Sequence, residues 1–187
     1  YMPNPEEEYR IFTKTADTLI QGNPCSILAE TFVSVFNQQI STSPFVTRYF
    51  LWQHGAQVDI FDTDSLLFYP LFDFDKTVGD TLESHCMYIE TPTKSVVDSV
   101  GTVMLGGSMR RTQWVRSLSN NPCSLQGQLI EGVGGTEYLW ARYQFVDPPP
   151  GGWLVCFRDS LGSFSLDGNC TAIVAARAPS GPQALGI

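Results

Sequence analysis

Hydrophobic positions follow two patterns along this chain. Between Ser26 and Gln39, the residues Ile27, Leu28, Phe32, Val35 and Phe36, with Ile40 just beyond, recur at spacings of three to four after an Asn23-Pro24 start. That spacing predicts a helix over Ser26 to Gln39. An alternating template with Ala29, Thr31, Val33 and Val35 on one side fits the same window nearly as well, and would make it a strand. After Pro44 the pattern changes to short runs rich in aromatic and branched residues: F-V-T-R-Y-F-L-W, Q-V-D-I-F, L-L-F-Y, H-C-M-Y-I, V-G-T-V-M-L, T-Q-W-V-R, L-Q-G-Q-L-I, E-Y-L-W-A-R-Y-Q-F-V, W-L-V-C-F and N-C-T-A-I-V-A-A. Each reads as a strand, and the clusters between them (D-T-D-S, N-N-P, G-V-G-G, D-P-P-P-G-G, D-G-N) are turn formers.

No helical window long enough for a crossover separates any two of these runs. Parallel strands need such crossovers, so the expected fold is mainly β: a single-domain antiparallel sandwich or barrel with at most one or two short helices. The acidic, proline-bounded start and the A-P-S-G-P-Q-A-L-G-I end read as linkers. The expected organisation is a linker over 1–8, one globular β-rich domain over 9–177 and a tail over 178–187, with no internal repeat.

Composition narrows the functional classes. The chain has 187 residues, enough for one well-formed core but not for two full domains. Its 19 acidic and 11 basic residues give a net charge of -8, which repels phosphate backbones and anionic lipid, so neither a nucleic-acid partner nor membrane insertion is expected. The opening Y-M-P-N-P-E-E-E-Y lacks the basic and apolar regions of a secretion signal. Cys25, Cys86, Cys123, Cys156 and Cys170 show no C-x-x-C spacing and no neighbouring histidine pair, so zinc is not expected; one or two disulfides would be possible among them, but isolated cysteines within apolar runs are more often small buried hydrophobes. Asn169-Cys170-Thr171 has the form of a glycosylation acceptor, which matters only in a secreted chain.

Two acidic stretches carry candidate chemistry. Phe72-Asp73-Phe74-Asp75-Lys76-Thr77-Val78 resembles the first motif of the haloacid dehalogenase superfamily, a hydrophobic strand followed by D-x-D-x-T. The resemblance implies a phosphatase in which Asp73 attacks phosphorus and Asp75 serves as acid and base beside magnesium. Its other members are missing: Lys94 lies too near the motif, no G-D-x-x-x-D surrounds Asp159 or Asp167, and Pro70 would interrupt a central strand. The alternative places Phe72 and Phe74 inward on a strand, with Asp73 and Asp75 facing solvent. Asp59, Asp62 and Asp64 lack the glycine and glutamate of a calcium loop, and Asp62-Thr63-Asp64-Ser65 reads as a hairpin turn. His85-Cys86 are adjacent on a strand and point to opposite faces, so they form no thiol–imidazole pair; both they and His54 read as structural. No metal, cofactor or catalytic residue is expected.

Arg110, Arg111 and Arg116, with Trp114 between them, form the basic cluster of this acidic chain. Arginine and tryptophan dominate recognition surfaces, so these four are the candidate binding residues; the competing reading is a charged strand edge. The stretch R-Y-F-L-W-Q-H-G-A-Q-V-D-I-F-D-T-D-S-L-L-F-Y-P sets a strand, a G-A turn, a strand ending in an acidic turn and a strand closed by Y-P. Over about half the chain this pattern resembles the protruding spike domains of non-enveloped virus capsids, the astrovirus spike above all. The resemblance implies a non-enzymatic homodimeric domain at the virion surface whose loops meet a host receptor or antibodies. A helix followed by strands also resembles the NTF2-like α+β cone, which would imply a dimerisation or small-molecule-binding module.

Overall fold

The computed structural model describes residues 7–36, 39–86, 89–105, 107–118, 125–136, 156–158 and 163–165. These residues are organised in strands, and none of them is helical. Sheet A is an antiparallel meander of β1 (Glu7–Ile20), β2 (Asn23–Phe36), β3 (Gln39–His54), β4 (Gln57–Asp62) and β5 (Leu67–Asp73), paired in that order. Sheet B comprises β6 (Thr81–Cys86), β7 (Ile89–Leu105), β8 (Ser108–Ser117), β9 (Gly127–Ile130) and β10 (Gly134–Gly135), again antiparallel and in sequence order. A separate ribbon pairs β11 (Cys156–Arg158) with β12 (Ser163–Ser165). The mainly β, antiparallel expectation holds, and one of the two sheets curls into half a barrel.

The helix expected over Ser26 to Gln39 is instead β2 and the first residue of β3. Branched Thr31, Val33 and Val35 suit a pleated strand, and β2 has partners on both sides, from Glu7↔Val35 to Ile20↔Asn23 on β1 and from Cys25↔Trp52 to Phe36↔Gln39 on β3. Ladders on both sides outweigh the helical spacing and its Asn23-Pro24 start. Cys25, Ala29 and Val33 are buried on one face of β2, and Glu30 is buried on the other. With this helix gone, the order of elements that resembled an NTF2-like cone is gone too. H-C-M-Y-I is likewise not one strand: β6 ends at Cys86 and β7 begins at Ile89, so the run spans a hairpin.

The turns follow local chemistry. Gln21 and Gly22 both have positive φ (52° and 83°) between the paired residues Ile20 and Asn23, the two-residue loop whose twist matches antiparallel strands. Gly55, with φ 65°, opens the expected G-A turn between His54 and Gln57. In the D-T-D-S turn, the Asp64 N–H donates to Asp62 Oδ1 at 2.8 Å and the Leu66 N–H donates to Asp62 O at 2.9 Å.

The core lies between the sheets. Tyr49, Ile60, Leu71 and Phe72 of sheet A meet Leu82, Val97, Val115 and Leu129 of sheet B, with Phe74 of the crossing segment among them. That crossing, residues 74–80, is fixed by backbone bonds to both sides: Phe74 N–H to Ala56 O (3.1 Å), Gly79 N–H to Val97 O (2.8 Å) and Val97 N–H to Asp80 O (2.9 Å). Pro70 is tolerated because β5 is the last strand of sheet A.

Candidate recognition surface

Arg110, Arg111, Trp114 and Arg116 all lie on β8, but the strand's period of two divides them. Gln113 and Val115 are buried toward the core, and Arg111 shares their side. Arg110, Trp114 and Arg116 share the outer side. β8 lies between β7 and β9, and β9 pairs with Thr112 to Val115, so Trp114 has a strand on each side while the three arginines flank that ladder.

On the outer side, Trp114 stands beside Ser99 of β7 and Gln128 of β9 and keeps 52% of its surface exposed. The register of β7 against β8 slips between Val97 and Ser99, and this bulge displaces Asp98. Asp98 receives Arg116 through Nε (3.2 Å to Oδ2) and Nη2 (3.3 Å to Oδ1), a two-pronged pair that sets the guanidinium next to the indole's strand position. Arg110 is half-buried and donates from Nη1 to Glu131 O at 3.3 Å, beneath the turn that carries Gly132. The outer side therefore offers an exposed aromatic ring with a fixed polar frame.

Arg111 works on the opposite side and brings together candidates that the sequence leaves apart. Its Nη1 donates to Asp75 Oδ1 at 2.7 Å, while Nε and Nη2 grip Glu131 Oε2 and Oε1 at 2.9 and 2.8 Å. These bonds hold the Glu131 carboxyl below its ordinary range and raise Arg111 further above its own. Between residues 74–77 and the floor of Val100, Thr102, Arg111 and Gln113 lies a cleft of about 350 Å³.

Asp73 is the last residue of β5 and Asp75 lies exposed in the turn that follows, so the alternating strand expected over both aspartates stops at the first, although Phe72 and Phe74 are buried. Asp73 Oδ1 accepts the Asp75 N–H at 3.1 Å, which folds the two carboxylates into the crossing between the sheets. The neighbouring strands are antiparallel, so the parallel sheet that the phosphatase motif needs is not what these residues build. Gln113, 1% exposed, locks the segment by donating from Nε2 to Asp73 O (3.0 Å) and Lys76 O (2.9 Å).

The remaining candidates have structural partners. Asp59 takes bonds from His54 Nε2 (2.9 Å) and Gln57 Nε2 (2.8 Å). Cys25 is a buried free thiol, and burial pushes its pKa up. Lys94 pairs with Glu83 at 3.0 Å across β6 and β7. Asp159, Asp167, Asn169, Cys123 and Cys170 fall outside the described residues. Sequence reasoning missed Glu30, a carboxylate 5% exposed on the core side of β2, held by Arg10 Nη1 and Tyr49 Oη, each at 2.6 Å. Among the described residues, no helix is long and apolar enough to cross a membrane. Compared with known proteins, the chain matches no family model, no curated protein and no solved structure.

Proposed function

We propose that this chain is a non-enzymatic interaction domain of the capsid-spike type, which attaches to a host receptor and associates with a second copy of itself. The observation that carries the reading is the half-exposed Trp114 on the outer side of sheet B, framed by the Arg116–Asp98 pair. A large ring held open to solvent on a central strand contributes little to folding but much to binding, because aromatic and arginine side chains concentrate contact energy. The two-sheet antiparallel scaffold supports it as a rigid platform, since Trp114 is flanked by strands on both sides. Sedimentation of the purified chain, together with its binding to a panel of cell-surface glycans and receptor-bearing cells, tests the proposal. A dimer that binds at least one panel member is expected; a strict monomer that binds nothing would overturn it.

A further inference from the structure

The two sheets meet where β5 contacts β6, and one ring pair marks that junction. Tyr69 of β5 and His85 of β6 stack with centroids 3.6 Å apart and planes 7° from parallel. The register of β6 against β7 shifts between Ser84 and Cys86, with the extra residues on β7 opposite His85, and the His85 ring lies against Tyr69 of sheet A. His85 is only 7% exposed.

We propose that the Tyr69–His85 stack is a proton-operated seam: taking up a proton at His85 places a charge between the two sheets and loosens β5 from β6. Among the described residues, the ionisable groups that bear on the ring are the Asp62 carboxylate at the end of β4, which attracts a proton to it, and the Tyr69 phenol on β5. Across β6 and β7, Glu83 is paired with Lys94. Desolvation outweighs the pull of Asp62, and His85 is held below the ordinary imidazole value. A histidine depressed in the folded state stabilises the fold fully above about pH 6.5, its unfolded value, and loses that contribution as the pH falls toward the folded one. The window thus opens just below neutrality, where no carboxylate of ordinary pKa titrates.

The chain contains two histidines, so an NMR titration of the imidazole Cε1–H signals separates them. His85 is expected to titrate below the ordinary value; titration at or above it would overturn the proposal. Urea midpoints of the full chain between pH 7.5 and 5 provide the second arm. The folding constant of the wild type is expected to fall by up to about tenfold per pH unit within the window. His85→Phe, which keeps a flat ring against Tyr69, is expected to lose that fall, and His54→Gln to keep it. If His85→Phe does not fold, His85→Gln takes its place. Equal pH responses in wild type and the His85 variant would refute the seam.

Discussion

Tyr49→Phe tests whether the buried carboxylate of sheet A is held by the bonds described. The substitution keeps the ring, which packs in the inter-sheet core, and removes one hydroxyl whose 2.6 Å bond reaches Glu30 Oε2. No cavity forms, so the cost is that of a hydrogen bond to a charged acceptor in a site where Tyr49 is 2% exposed, about 1.5–3 kcal/mol. Urea unfolding followed by tryptophan fluorescence is expected to show a lower midpoint at unchanged slope. Combining Tyr49→Phe with Glu30→Gln isolates the pair, and the cycle is expected to leave a coupling energy of about 1 kcal/mol or more, beyond the 0.3–0.5 kcal/mol typical of independent sites. A single variant within about 0.5 kcal/mol of wild type, or an additive cycle, would refute the reasoning.

Leu129→Ala removes a side chain of sheet B with no exposed surface from the centre of the inter-sheet core, and is expected to cost about 2–5 kcal/mol in the same assay. Gly132→Ala is expected to cost about 1–2 kcal/mol, because Gly132 has φ 75° and an added Cβ would lie 2.5 Å from Arg110 Nη1; a neutral result would contradict that turn geometry. The Asp80 carboxylate accepts the Thr77 N–H (2.8 Å) and Oγ1 (2.9 Å), which holds it below the ordinary aspartate value. This bonding supports the turn above the ordinary aspartate range and is lost as acid protonates Asp80 through its depressed value. Thr77→Ala is expected to return the Asp80 titration, read by carboxyl NMR, toward normal.

Much of the strand content was legible because hairpin chemistry is local. The G-A turn and the D-T-D-S turn act through residues adjacent in sequence, and both turns stand where expected. β2 was harder, since Ile27, Leu28, Phe32 and Val35 satisfy a helical spacing, and only the ladders with β1 and β3 decide the matter. β1 itself went unread, although Q-G-N at its end carries the signal of a tight hairpin. The four candidate surface residues do not form one group, because whether Arg111 joins Trp114 depends on which side of β8 each occupies. The pairing of Arg111 with Asp75, 36 positions away, depends on how two sheets pack, which no local pattern encodes. The same holds for His85 against Tyr69, a contact between strands of different sheets.

Trp114→Ala tests whether the outer side of sheet B is a recognition surface. Trp114 is half-exposed, so its loss is expected to leave the urea midpoint within about 0.5 kcal/mol of wild type. Binding to whichever cell-surface glycan or receptor the wild type recognises is expected to weaken by about thirtyfold or more, the loss of a 2 kcal/mol aromatic anchor. Undiminished binding by a folded Trp114→Ala chain would contradict the account.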